Sequence, residues 1–295
     1  MNRGRELAVL ATAVGLAVLM LATPQSPATG AVASPTKVLT IVEENHSYAQ
    51  AKAGMPYLMS LASKYAYASN DHGVTHPSLP NYLALAGADT FGVSTDSEPI
   101  PSTKVGTAKT VFDLALDKGL RAKSYQESMT SNCQTTSGGG YAARHNPWVY
   151  FGSSRTRCKA YDVPAGSFLT DVHNNALPNA GMLIPNLCND GHDCSLTVAD
   201  NWLKARLPTL LASTDFTSGR LTVVVTFDED DIRSGNQVLT VVMNAALSGK
   251  HKVVTTSLNH YSLSRFLSSM SASPGLNNAA TAPSFAAAFG FTTAP

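Results

Sequence analysis

Charge is scarce in this chain. Only 14% of its 295 residues are Asp, Glu, Lys or Arg, and 21 basic residues against 20 acidic ones leave a net charge of +1. No basic cluster stands out, which excludes a broad electrostatic surface for nucleic acid or an anionic bilayer. Past the N-terminal region no apolar run approaches the roughly 20 residues of a membrane span. Cys-x-x-Cys pairs are missing, so the cysteines do not read as a zinc-thiolate site. A Gly-x-Ser-x-Gly elbow is missing too, which argues against an α/β-hydrolase esterase. There is no internal repeat.

What is present begins with an export signature. Arg3 and Arg5 precede an uncharged, mostly apolar run from Leu7 to Leu21, and Ala31-Val32-Ala33 offers a small-x-small cleavage site. Residues 1–33 are therefore expected to be a signal peptide. The run is short for a span, and no cysteine follows it for a lipid anchor, so a secreted protein without a stable membrane anchor is expected. The 4 cysteines, even in number, then point to two disulfides. Of three connectivities, nearest-neighbour pairing (Cys133 with Cys158, Cys188 with Cys194) is expected. Hydrophobic residues at 44% suffice for a substantial core, and residues 34–295 are expected to form a single domain.

Strand and helix signals alternate along it, which argues for an α/β sheet. Val38 to Val42, Met182 to Ile184, Leu221 to Thr226 and Val238 to Met243 are short apolar runs, typical of strands buried on both faces. A further strand is expected around Ala122 to Tyr125. Helical spacing covers Tyr57 to Lys64, Leu79 to Ala86, Thr110 to Lys118, Leu196 to Leu211 and Tyr261 to Met270. Residues 128–180 show no periodicity and are expected to be an irregular insertion, functional or stapled. The segment from Ser271, rich in Ala, Pro and Asn, is expected to wrap the surface.

The polar residues fall where an α/β sheet binds ligands, just beyond strand ends. Glu44-Asn45 follows one buried strand, Asn189-Asp190 another, and Asp228-Glu229-Asp230-Asp231 a third. Carboxylates that converge repel one another unless protonated or bridged by a cation, and all-oxygen ligands favour a divalent metal. A purely structural calcium site is the alternative reading of these acids. Ser78 lies at the start of a helix signal, where serine is ordinarily an N-cap. The same place suits a nucleophile on phosphorus, since free amides and the helix dipole attract phosphate. His192, beside Asp190 and Asp193, and His260, before a helix, are candidates for metal ligand, phosphate donor or general acid. His72, His145, His173 and His251 have no comparable sequence neighbours and are left aside.

Five motifs, in order, resemble one family: Glu43-Glu44-Asn45-His46-Ser47, Thr75-His76-Pro77-Ser78-Leu79-Pro80-Asn81-Tyr82, Pro185-Asn186 with Asn189-Asp190-Gly191-His192-Asp193, Phe227-Asp228-Glu229-Asp230-Asp231, and Asn259-His260-Tyr261-Ser262. They look like the bacterial phosphoesterases of the alkaline-phosphatase-like superfamily, which include secreted acid phosphatases and phospholipase C enzymes. The compact actinobacterial acid phosphatases, some active on phosphoinositides, are the nearest in pattern. The resemblance implies a three-layer α/β/α sandwich around a mostly parallel sheet, and hydrolysis of phosphomonoesters through a phosphoserine on Ser78. It places Glu44, Asn45, Asp228 and Glu229 around a metal and Asp190 at a second one. Asn45 and Asn81 are expected to contact substrate, and His192, His260 and His76 to serve catalysis. The metal is open among calcium, magnesium, manganese, zinc and iron, one or two per site. Gly191 and Phe227 depart from the family pattern at positions expected to shape the pocket. A phospholipase C-type phosphodiesterase and a non-catalytic calcium-stabilised binding protein are the rival readings. The 128–180 insertion is expected to roof the pocket, with Lys123, Arg144, Arg155 and Arg157 available to extra phosphates, although each reads more simply as a solvated surface charge.

Overall fold

The computed structural model describes Met1 and residues 34–98 and 105–293. The expected signal peptide thus lies, Met1 aside, outside the described residues. Nine strands among the described residues form one sheet: β1 (Lys37–Glu43), β2 (Ala66–His72), β3 (Ala122–Gln126), β4 (Asp162–Pro164), β5 (Ala180–Ile184), β6 (Leu221–Phe227), β7 (Gln237–Met243), β8 (Lys252–Val254) and β9 (Leu258–Asn259). Their order is β4-β3-β5-β1-β6-β7-β2-β8, with β9 also on β2. Only β7 runs antiparallel to its neighbours β6 and β2; the other pairings are parallel.

The central strands are aliphatic and β-branched because both faces are covered. β5 and β6 are buried along their whole lengths, and β1 and β7 at all but their first residue. The covering helices are α1 (Tyr48–Gly54), α2 (Pro56–Lys64), α3 (Ser78–Gly87), α4 (Val111–Asp117), α5 (Arg155–Tyr161), α6 (Phe168–His173), α7 (Leu196–Leu211), α8 (Thr214–Thr217), α9 (His260–Ser269) and α10 (Phe285–Phe289). Nine of them fall into two sets. In one, α7 packs against α1, α2, α6 and α8; in the other, α9 packs against α3, α4 and α10. This is the mixed, mostly parallel α/β architecture that the alternating signals predict. Residues 34–293, as described, belong to one compact unit.

Three parts differ from the sequence reading. β2 carries the small and polar run AYASNDH, so it has no apolar signature, yet it pairs with β7, β8 and β9. Residues 128–180 are not irregular throughout: they contain the edge strand β4, helices α5 and α6, and short 3-10 turns. Trp148 there is fully buried and stacks on Phe112 of α4 at 4.3 Å, so the insertion packs into the main core. The C-terminal segment does more than wrap the surface, because Phe285, Phe289 and Phe291 are buried around Phe266. The two disulfides are Cys133–Cys158 and Cys188–Cys194, as expected.

Register then sets the site. β1 and β6 align from Lys37–Leu221 to Glu43–Phe227, so Glu44 and Asp228 leave the sheet side by side. Asp228 N donates to Glu43 O at 3.0 Å, and Glu44 N to Asp190 O at 2.9 Å, which ties in the loop after β5.

Candidate active site

Ser78 is not an N-cap. Pro77 holds that position, after a cis His76–Pro77 peptide, and Ser78 opens α3. Its hydroxyl is thereby free for the strand ends and donates to Glu44 Oε2 at 3.0 Å. Tyr82, one turn on, donates its hydroxyl to Glu44 Oε1 at 2.5 Å. Spacing of i and i+4 on one helix face thus brings both side chains to one carboxylate. The helix has no side-chain cap, and Leu79 N donates instead to Asp96 Oδ1 at 2.9 Å.

Asp228 sits at the end of β6. Its Oδ1 accepts from Asn45 N at 3.1 Å and Glu229 N at 2.7 Å, whereas its Oδ2 is buried with no hydrogen-bond partner. Asn45 has φ 50, a left-handed turn that a short polar side chain tolerates, and its Oδ1 is likewise buried without a partner. Glu229 turns toward α3, where Oε2 accepts from Asn81 Nδ2 at 2.9 Å and lies 3.2 Å from His76 Nδ1. His76 Nε2 lies 3.2 Å from Asp230 Oδ1. Asp230 itself gathers its own loop, accepting from the amides of Ile232, Ser234 and Asn236.

A histidine that sequence neighbours did not single out completes the centre. His145 is buried between two acids, with Nε2 3.3 Å from Glu44 Oε1 and Nδ1 3.4 Å from Asp190 Oδ2, and its ring stacks on Tyr82 at 5.0 Å. It comes from a 3-10 turn, Ala143–His145, within the insertion. No local pattern could mark it, because both acids arrive from distant strands. Glu43 is also new: it points away from Glu44 on β1, fully buried, with neither carboxylate oxygen hydrogen-bonded.

The electrostatics follow from crowding. Burial, then the charges of Asp228 and Asp190, hold Glu44 well above the usual carboxylate range. Burial pushes Asp228 and Asp190 up to about 7. Glu229 rises to about 9 through burial and the charge of Asp228. Burial also keeps His145 neutral, well below the ordinary histidine value, and the Arg144 charge adds to this. Among the described residues no Lys or Arg pairs with Glu44, Asp190 or Asp228. Buried carboxylates with unused lone pairs and no cation of the chain fit a divalent metal ion. One atom each of Glu44, His145 and Asp190 lies within 4.8 Å of the others, which makes them a candidate metal cluster. The grouping of Cys133, Cys158 and Asp162 is different, since its sulfurs are joined in a disulfide.

The remaining expected residues sit less centrally. Asn81 is fully buried and its amide is engaged throughout: Oδ1 accepts from Val74 and Thr75, and Nδ2 donates to Thr75 O and Glu229. These bonds brace the loop before Ser78. His260 is buried, is held down to about 4 by burial, and meets the Asp228 carbonyl through Nε2 at 2.5 Å. It supports the turn that carries Asp228. His192 lies at the rim, Nδ1 on Asp193 Oδ1 at 2.7 Å and Nε2 on Arg144 Nη2 at 3.1 Å. Arg144 can only donate, so this network assigns the proton to Nδ1 and leaves Nε2 an acceptor. Lys123, Arg155 and Arg157 are taken up by Asp171, Val149 O and Asp113 with Asp117. Arg144 is the one of the four that reaches the site. Gly191 adopts φ +91, which itself calls for glycine, and Phe227 is buried edge-on to His46.

The Phosphoesterase family matches residues 46–271 of this sequence. A phosphatidylinositol-3-phosphatase of Mycobacterium tuberculosis is 32% identical over 285 residues, 95% of this chain and 92% of that protein. The chain belongs to the phosphoesterase family. Fungal relatives of this phosphoesterase are longer. It covers 54% of a phosphate-repressible acid phosphatase of Penicillium chrysogenum at 34% identity, with 74% of its own length matched. It covers 66% of an acid phosphatase of Aspergillus fumigatus at 31% identity, with 92% of its own length matched. The phosphoesterase thus spans between about half and two thirds of those two proteins. Among solved structures, an alkaline phosphatase superfamily protein from Vibrio parahaemolyticus superposes with a TM-score of 0.52 at 12% identity, covering 81% of this chain and 67% of that one. A Pseudoalteromonas sulfatase gives 0.55 at 8% identity, covering 81% and 68%. At such identities the likeness is one of fold, and it places the phosphoesterase in the alkaline-phosphatase-like architecture.

Proposed function

We propose that this phosphoesterase is a secreted, metal-dependent acid phosphatase that hydrolyses phosphomonoesters through a phosphoserine on Ser78. It is a phosphoric monoester hydrolase, in keeping with the phosphatases it resembles along most of its length. The observation that carries the mechanism is the Ser78 hydroxyl, 3.0 Å from a buried Glu44 whose acidic neighbours have no cation of the chain to balance them. Glu44, Asn45 and Asp228 would hold a divalent ion beside Ser78, and Asp190 with His145 a second one against Glu44. Such ions lower the serine pKa and offset charge on the phosphoryl oxygens when bound.

The chain's own groups do the rest. Glu44 accepts the Ser78 hydrogen bond and fixes the hydroxyl, while Tyr82 fixes Glu44. Ser78 Oγ bonds to phosphorus as the ester oxygen departs, and a water later releases phosphate from the serine. His192, at the rim, would supply a proton to the departing oxygen from Nε2 only as the imidazolium, once Arg144 has turned from that nitrogen to the substrate phosphate, with Asp193 holding Nδ1. Histidines exchange protons mostly between pH 5 and 8, so a reaction needing the imidazolium declines above neutrality. Substrates include phosphoinositides, a reading supported by the mycobacterial relative, a phosphatidylinositol-3-phosphatase. Export through residues 1–33 is supported by the two disulfides, and no helix of the described residues is long and apolar enough to cross a membrane.

The test compares metal-stripped and metal-restored protein on an aryl phosphate, phosphatidylinositol 3-phosphate and a choline phosphodiester. Restored turnover of the monoesters, absent on the diester, is expected. Ser78→Ala should lose at least about 10³-fold in kcat with an unchanged fold; near-wild-type turnover by that variant would remove serine catalysis from the reading.

A further inference from the structure

The amide beside the nucleophile is already taken. Leu79 N, the first backbone donor after Ser78, donates to Asp96 Oδ1 at 2.9 Å. The other oxygen of that carboxylate faces Arg144 Nε at 3.8 Å, and Arg144 in turn reaches His192. Asp96 is also close enough to act on the charges of Glu229 and His145 across the centre. Its segment is moored to the insertion: Tyr150 donates to Ser97 O at 2.6 Å and Ser137 N to Glu98 Oε2 at 3.1 Å. Asp228 Oδ2, in the same centre as Ser78 and Glu44, is buried without a hydrogen-bond partner. An amide at a helix start, a guanidinium and a nucleophilic hydroxyl together suit a phosphate dianion. In this structure an anion of the chain itself holds one of those donors and faces another.

We propose that Asp96 is an internal competitor of phosphate: its carboxylate holds the Leu79 amide and faces Arg144 until a phosphomonoester or inorganic phosphate displaces it. This rests on the serine phosphatase reading and adds the regulation of its ground-state affinity. Arg144 is the charge handed from Asp96 to the ligand. The consequence is weak retention of product, because every phosphate leaving the site is replaced by a carboxylate already within reach.

The decisive variant is Asp96→Asn, which can still accept from Leu79 N but carries no charge. On the metal-loaded protein, the Ki of inorganic phosphate and the KM of an aryl phosphate should both fall roughly tenfold, with kcat nearly unchanged, a modest figure because Asp96 is partly solvated. Calorimetric binding of inorganic phosphate should tighten in parallel. Arg144→Gln should move both constants the opposite way. If Asp96 is merely a helix cap, Asp96→Asn leaves phosphate affinity unchanged and Asp96→Ala lowers only the melting temperature; either that result or weaker binding by Asp96→Asn overturns the proposal. Loss of the underlying reading looks different, since Ser78→Ala would then turn over normally whatever Asp96 does.

Discussion

The two ends of β1 and β6 treat buried acid in opposite ways. At their amino ends, Asp215 is buried and meets Lys37 Nζ at 2.6 Å and Arg220 Nη2 at 2.9 Å, so both its oxygens are matched by cations of the chain. At their carboxyl ends, Glu44 and Asp228 are buried more deeply and receive only neutral donors: Ser78, Tyr82 and backbone amides. A buried charge left unpaired is costly, and one that serves only stability is normally paired. The contrast therefore separates an acid paired within the fold from acids that, on the proposed function, await a cation from outside.

Neutralising each end should break this comparison or sharpen it. The largest effect is expected from Glu44→Gln, which, if the proposed function is right, should lower kcat/KM by roughly 10²–10³-fold by removing the anion that would hold the metal and orient Ser78. The same change should raise the melting temperature of the metal-free protein, since it relieves repulsion with Asp228 and Asp190. A lower melting temperature would mean that Glu44 is structural. Asp215→Asn should do the reverse, costing about 3 kcal/mol in denaturant titrations, because Lys37 loses its partner, while kcat holds. Stability unaffected by that substitution would erase the distinction.

The smallest effect is a pH dependence. In the folded, metal-free protein Asp228 and Asp190 titrate near 7 and Glu229 near 9, above the roughly 4 of an unfolded chain. The folded state thus binds more protons than the unfolded state between those values. Its stability is greatest below about pH 4 on this account and falls as pH rises through 7 toward 9. Melting temperature after chelation should decline across that window, and a divalent ion should remove the decline. A flat profile in the chelated protein would show that the acids are compensated by other means.

Much of the site was legible because its chemistry is written at strand ends. Val38 to Val42 and Leu221 to Phe227 are unmistakable buried strands, and the acids that follow them have nowhere to go but the sheet's carboxyl edge. Ser78 was legible as a helix-start residue, though its hydroxyl serves Glu44 rather than the helix. His145 was not, because a lone histidine after Arg144 gains meaning only when a 3-10 turn carries it between Glu44 and Asp190. Asp96 was hidden in the same way, in a polar loop with no motif. The bracing role of Asn81 was not legible either, since its five hydrogen bonds join the loop before Ser78 to Glu229 from a distant strand end. β2 escaped because its pairing partners, not its composition, make it a strand.

By itself, the sequence determined the α/β class and the order of the acidic loops, since these depend on local periodicity and strand-end position; of the disulfides it gave the number, and the fold selected the pairing among three connectivities. Tertiary structure alone decided which acids share a partner, which histidine enters the centre and which carboxylate meets the Leu79 amide. Those outcomes depend on the register of β1 against β6 and on how residues 128–180 fold over it, and both are set by contacts between segments far apart in the chain.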